Sequence, residues 1–332
     1  YRAMDGTELS FRIAILLQIS LGVSVNIFLL LFYIRVISAT HNPSSSDLIL
    51  AHLAFANAII LFTSGIPEAM SAWGWRNFLD VIGCKILLYF YRVARGLAIC
   101  TTCLLSIFQA VTITKLPKCI LPFCLLSWIS NMLVDVNVLI YMTGPQNGSS
   151  IWLILDLKYC STISASPAAT LAVAAVISFR DLFFVGLMSA ASGYMVFVLY
   201  RHHRQVRHLH RPGRSPREMP EVRAAKRIIA LVTFYVLLYG RQAIMLSILV
   251  NMREKSPLLV NSHMVLTFSF SVISPFLIIY SDRRMRTLNL TVMQMVSVLC
   301  QRKAFCYSNP IHTETVRKLL FYSGKKAPVP EM

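Results

Sequence analysis

Charge is what this sequence has least of. Only 14% of its 332 residues are Asp, Glu, Lys or Arg, against about a quarter in soluble domains. Acidic residues are the scarcest, 14 Asp and Glu against 32 Lys and Arg. There is no glycine-rich phosphate loop, no His-x-x-x-His pair and no zinc-finger or RNA-binding motif, so the sequence gives no ground for an enzyme, a cofactor or a resident metal. It has no internal repeat either, which leaves an inverted-repeat transporter without support. The first apolar run is too long for the core of a signal peptide and reads as a span.

What is present is apolar sequence, 56% of the chain. Runs of mostly apolar residues lie at 11–36, 48–70, 82–111, 119–142, 169–201, 225–250 and 258–281. Each approaches or exceeds the length of about 20 residues that a helix needs to cross the hydrocarbon core. Helices are the expected spanning form, since lipid offers no partners for free backbone groups. The expected fold is an all-α membrane protein, a seven-helix bundle over 11–281. An extracellular N-terminus (1–10), an amphipathic juxtamembrane helix (282–300) and a cytoplasmic tail (301–332) complete the expected organisation.

Basic residues set the orientation. Arg201, Arg204, Arg207, Arg211, Arg214, Arg217 and Arg223 fall between the fifth and sixth runs, and Arg283, Arg284 and Arg286 follow the seventh. The positive-inside rule puts that loop and the tail in the cytoplasm. A net charge of +18 then reflects topology and anionic inner-leaflet lipid rather than nucleic acid. The cluster His202, His203, His208 and His210 is read as part of the same solvated basic face, not as a metal tract.

Eight cysteines divide by location. Cys84 and Cys160 both fall on the oxidising side, where a disulfide is chemically allowed and would tie the long external connection (143–167) to the third span. Cys100, Cys103, Cys119 and Cys124 lie in or near spans and are expected to act as small apolar residues. Cys300 and Cys306 follow the juxtamembrane segment and are acylation candidates. Asn147-Gly148-Ser149 is a glycosylation sequon on the outside, whereas Asn289-Leu290-Thr291 falls inside and should stay unmodified. In "ATHNPSSSD" (39–47), Asp47 is the expected N-cap of the second helix.

Ionisable groups within spans are costly, about 2.5–3.5 kcal/mol each on the insertion scale. Arg92 and Arg95 share one face of the third span, about 12 and 16 Å below Cys84 at 1.5 Å per residue. Glu68, Asn131, Asp135, Arg241 and Gln242 are the other residues that could join them in a polar zone. That zone reads either as the floor of an outward-facing pocket or as an internal lock.

The strings "RVARGLAICTTCLLSIFQAVTI", "DLILAHLAFAN", "SWISNMLV", "MSAASGYMVFVLYRHHRQVRHLH", "RAAKRIIALV" and "ISPFLIIY" together resemble the vomeronasal type 1 receptor family of G-protein-coupled receptors. The resemblance spans about 15–290. Asn26, Leu53-Ala54-Phe55-Ala56-Asn57, Trp128 and Pro275 match broader rhodopsin-like landmarks. Phe108-Gln109-Ala110 stands where most such receptors carry an acid-arginine pair. Cys84, Cys160 and Asn147 match the family's disulfide and glycosylation positions, and Arg92, Arg95 and Gly96 its third-span motif.

The resemblance implies a plasma-membrane pheromone receptor that binds a small chemosignal and acts through Gi/o-type G proteins. Gln109, Lys115, Arg201, Arg204 and Arg227 are the candidate inner-face contacts for that partner. One departure is the connection "TITKLPKCILP" (112–122), shorter than in relatives. It keeps open a non-signalling membrane partner of other chemoreceptors. A bitter-taste-type receptor is a further alternative, opposed by the Cys84 and Cys160 pair.

Overall fold

The computed structural model describes residues 6–40, 44–75, 77–112, 120–143, 153–156, 159–163, 167–209, 229–230, 232–238, 240–241 and 265–281. The chain divides into two compact units, Tyr1–Ile278 and Ile279–Met332. The first unit carries the bundle: α1 (Gly6–Ala39), α2 (Ser45–Ile60), a π-helical turn (Leu61–Gly65), α3 (Ile66–Ala72), α4 (Val81–Thr112), α5 (Ile120–Val134), α6 (Asn137–Tyr141) and α7 (Pro167–Leu209). The last described helix is Ser269–Ser281.

Five of these helical segments are long and apolar enough to cross a membrane: Leu9–Ala39, Ser45–Ala72, Val81–Phe108, Pro122–Ile140 and Ala175–Val198. They coincide with the first five apolar runs. The sixth run, 225–250, is described only as helical residues within 229–241, and the seventh from Val265 onward. The third span is the most enclosed, about two-thirds buried, and the fifth the least. Val93, Ala94, Leu97, Ala98 and Ile99 are almost fully covered on α4, while Phe179, Leu182 and Phe183 on α7 stand outward. Lipid is as apolar as such side chains, so burial alone does not hold the helices together and polar contacts carry more of the specificity.

Contacts of this kind tie the described helices together. Pro275 lacks an N–H, so the carbonyl of Ser271, four residues earlier, has no helical donor; Asn26 Nδ2 takes it at 2.8 Å. Asn57 Nδ2 donates to Ser274 Oγ at 3.0 Å, which joins α2 to the same helix. On the other side, Trp128 Nε1 donates to His52 Nε2 at 2.8 Å. That donor fixes the imidazole as neutral with its proton on Nδ1, which lies 2.7 Å from Thr101 Oγ1; Thr101 in turn donates to Leu97 O. Each neutral interhelical bond of this kind contributes about 0.6 kcal/mol, at most about 1.7.

Several local features depart from the sequence reading. Ser44 holds the N-cap position of α2, with extended backbone (φ −65°, ψ 135°) and no side-chain cap bond; Asp47 sits in the first turn, buried. There its charge favours the helix N-terminus through the dipole rather than through a cap. The second span is not one regular helix, because the π turn precedes Pro67 and absorbs a residue that cannot donate to the turn before it. α7 continues to Leu209, so Arg201, Arg204 and Arg207 extend a helix rather than open a loop. Arg and Gln are good helix formers once lipid is left behind.

The connection after the fourth span carries a small antiparallel sheet, β1 (Met142–Thr143), β2 (Leu153–Asp156) and β3 (Ser161–Ile163), ordered β1-β3-β2. Met142 pairs with Thr162 and Leu153 with Ile163.

Candidate functional site

The centre of the site is a lattice of three arginines and two aspartates shared by α4, the turn between α5 and α6, and α7. Arg180 is its hub. Its Nη1 donates to Asp135 Oδ2 at 2.8 Å and to Asn131 Oδ1 at 3.1 Å, and its Nε donates to Asp181 Oδ1 at 3.0 Å. Arg92 Nε reaches Asp135 Oδ1 at 3.5 Å, and Arg95 Nη2 reaches Asp181 Oδ2 at 3.8 Å. These two contacts are ion pairs too long for good hydrogen bonds. The aspartates are sealed, with side chains 0% and 3% exposed, whereas Arg92 and Arg95 keep 27% and 34% of theirs open.

Local backbone places these groups. α4 is unbroken through Arg92 and Arg95, which are three residues apart and therefore on one face. The fourth span tightens just after Asp135, where Val136 N bonds Leu133 O and Val138 N bonds Asp135 O. These i to i+3 bonds end α5 and begin α6 around the carboxylate. Asn131, one turn earlier, is clamped by donating to Ser127 O at 2.7 Å and to Cys100 Sγ at 3.5 Å.

Gly96 makes the approach of Asn131 to α4 attainable. A Cβ at this position would fall on Asn131 Oδ1 and stand 3.2 Å from Arg180 Nη1. The glycine of the "RVARG" string is thus explained by close packing of one helix on the polar side chain of another. Within the lattice itself, three guanidinium groups face two carboxylates.

A second polar group lies beneath the connection that carries the strands. Cys84 and Cys160 form a disulfide, their Cα atoms 5.7 Å apart, which joins the N-terminal end of α4 to the strand-bearing loop. Around it pack Leu88, Val138 and Tyr159, and the Tyr159 ring stacks on Phe78 at 5.8 Å. The Tyr159 hydroxyl lies within hydrogen-bonding range of Ser64 and in the field of Glu68, both from the C-terminal part of the second span. Burial first, and then the Glu68 carboxylate, push its pKa well above the ordinary tyrosine range.

The structure thus brings Arg92, Arg95, Asp135 and Asn131 together, as the sequence reading grouped them. Glu68 instead stands with Tyr159 and Ser64. Arg241 is half-buried and forms no ion pair among the described residues; Gln242 lies outside them. Arg180 and Asp181 were not anticipated, although an adjacent arginine and aspartate inside an apolar run is itself a signal. Gln109 ends in the last turn of α4, and Arg201 is exposed on α7, which also contains Arg204. Lys115, Arg227, Asn147, Cys119, Cys300 and Cys306 lie outside the described residues. Cys100, Cys103 and Cys124 are free thiols, all buried. No cluster of metal-ligating side chains occurs among the described residues.

An apolar helical bundle held by buried ion pairs and a loop disulfide defines a multi-pass membrane protein. The sequence profile of the vomeronasal organ pheromone receptor family matches residues 9–291, and the chain belongs to that family, a family of receptors rather than enzymes. It is 33% identical to Olfactory receptor class A-like protein 1 of Danio rerio over 286 residues, 82% of this chain and 90% of the relative. It is 36% identical to Vomeronasal type-1 receptor 4 of Homo sapiens, covering 81% and 93% of the two chains. With Vomeronasal type-1 receptor 2 of Homo sapiens the identity is 37%, over 80% and 70%.

Proposed function

We propose that this protein is a chemosensory G-protein-coupled receptor of the plasma membrane, responding to a small-molecule pheromone through Gi/o-type G proteins. In this reading it has seven spans, with the N-terminus outside and the C-terminus in the cytoplasm. The observation that carries the site assignment is the asymmetry of the lattice. Arg180 donates to one oxygen of each buried aspartate at hydrogen-bonding distance, while Arg92 and Arg95 stand 3.5 and 3.8 Å from the other oxygens and remain partly open. In this reading the partly open guanidinium groups of Arg92 and Arg95 would meet hydrogen-bond acceptors on a ligand entering from the side of the disulfide-tethered loop.

Ligand binding would compete for Arg92 and Arg95, loosen their hold on Asp135 and Asp181, and so bias the packing of the third, fourth and fifth spans. A ligand shifts such an equilibrium only by its differential affinity for the two arrangements. Coupling would occur at the inner ends, where Gln109, Lys115, Arg201, Arg204 and Arg227 are the proposed G-protein contacts, close to inner-leaflet lipid. Asn147 is the proposed glycosylation site, and Cys300 and Cys306 the proposed acylation sites. Glu68, Arg241 and Gln242 remain proposed pocket residues.

The test is ligand-stimulated nucleotide exchange on Gi/o in membranes bearing surface-verified receptor. Arg92→Met and Arg95→Met should remove the response and leave surface expression intact. Loss of surface expression in both variants would make the lattice a structural lock and sink the pocket assignment. Neither a non-signalling partner nor a bitter-taste-type receptor gains from the family match, and no structural feature among the described residues favours them.

A further inference from the structure

Directly beneath the ionic lattice, α4, α5 and α7 part to leave a cavity of about 320 Å³. Its walls follow from the sequence. Cys100 lies one turn below Gly96, Ser127 one turn below Asn131, and Phe183 and Phe184 one turn beyond Arg180 and Asp181. Above, long charged side chains bridge the three helices. Below, the facing residues are small, with Cys100, Cys103, Cys124 and Ser127 failing to fill the same separation.

The chemistry of the walls selects the occupant. Thr101 donates its hydroxyl to Leu97 O at 2.6 Å, and Ser127 donates to Cys124 O at 2.7 Å. These two hydroxyl protons are therefore used within their own helices, and the third lining hydroxyl, that of Ser130, belongs to an exposed residue. A roomy cavity whose lining offers so few polar partners stays dry. Its rim is made of Phe123, Leu126 and Phe183, which are 55%, 60% and 56% exposed within segments that cross the membrane. Cys100 lies sixteen residues below Cys84 on one continuous helix, about 24 Å at 1.5 Å per residue. The opening therefore meets acyl chains, not the external solution.

We propose that this cavity is a second binding site, for a neutral, hydrocarbon-rich small molecule dissolved in the bilayer that enters laterally between α5 and α7. Its volume is at the low end of the roughly 300–1,000 Å³ typical of small-molecule pockets, so it suits a compact or single-chain molecule rather than a whole phospholipid. The wall is bonded to the lattice, because Cys100 Sγ accepts from Asn131, whose carboxamide oxygen holds Arg180. An occupant would thus set the spacing of the helices that the outer ligand also acts on, and coupling between the two sites would be reciprocal.

The test uses purified full-length receptor in phosphatidylcholine nanodiscs, photolabelled with a diazirine-bearing medium-chain aliphatic alcohol. Adducts are mapped by peptide mass spectrometry. The expected result is saturable labelling of peptides covering 100–107 and 183–187, lost on adding excess unlabelled alcohol. Ser130→Phe, which adds a ring at the cavity wall, should lose this labelling; Ser189→Phe, on the exposed side of α7, should keep it. Labelling that rises linearly with probe and resists competition would mean that bulk acyl chains fill the cavity, and would overturn the proposal. Retained saturable labelling in Ser130→Phe would do the same. Should Ser130→Phe fail to fold, the competition in the unaltered receptor decides alone, with no G protein or outer ligand required.

Discussion

Replacing Asp135 with Asn changes charge while preserving shape, and this makes it the sharpest probe of the lattice. The wild-type group carries three arginines and two aspartates, net +1; Asp135→Asn raises this to +2 without opening a cavity. Asp135 is fully buried and Arg180 only 10% exposed, so solvent screens the change weakly. Removing one partner of a buried ion pair costs about 3–5 kcal/mol, because the remaining charge is left uncompensated. Ser274→Ala removes a neutral interhelical bond from Asn57 and should cost only about 0.6 kcal/mol. Equilibrium unfolding in bicelles would compare the two. The double variant Asp135→Asn, Arg180→Gln returns the net charge to +1. It should be less unstable than the sum of its parts, with a coupling of at least about 1.5 kcal/mol. If Asp135→Asn were no more damaging than Ser274→Ala, or the double variant strictly additive, the lattice would not be the structural centre described above.

Other consequences can be checked separately. Gly96→Ala should expel Asn131 from α4, with overpacking alone costing about 1–3 kcal/mol; a stability equal to wild type would contradict the close approach. Tyr159 should show an alkaline effect of defined sign. Its folded pKa lies above the unfolded value of about 10, so the folded state holds the proton longer and stability falls as pH rises past about 10. Tyr159→Phe should flatten that decline, and an unchanged pH profile would argue against the buried hydroxyl. Finally, glycosidase treatment should shift the mobility of wild type but not of Asn147→Gln, whereas Asn289→Gln should behave as wild type. The reverse pattern would invert the proposed topology.

Much of this molecule was legible because lipid imposes simple rules. Long apolar runs had to be helices, and the five described spans fall within a few residues of them. Arg92, Arg95, Asp135 and Asn131 were conspicuous because charged and amide groups in a span need a reason. Arg180 and Asp181 passed unnoticed because adjacent opposite charges look self-neutralising in one dimension. In the bundle Arg180 also reaches across to Asp135 and Asn131, a contact that sequence spacing cannot reveal. The π turn before Pro67 and the strands of two to four residues around Cys160 carry little local signal. They depend on how the second span and the tethered loop meet their neighbours. The role of Gly96 likewise became visible only once Asn131 was seen against it.

The central claim is that a small molecule acting at the Arg92 and Arg95 end of this lattice drives nucleotide exchange on a G protein. The most direct measurement is exchange on Gi/o in membranes bearing surface-verified receptor, with and without fractions of animal secretions, for wild type beside Arg92→Met. The account predicts exchange that a fraction stimulates in wild type and that Arg92→Met abolishes at equal surface density. Stimulated exchange that survives both Arg92→Met and Arg95→Met would place the ligand elsewhere and contradict it.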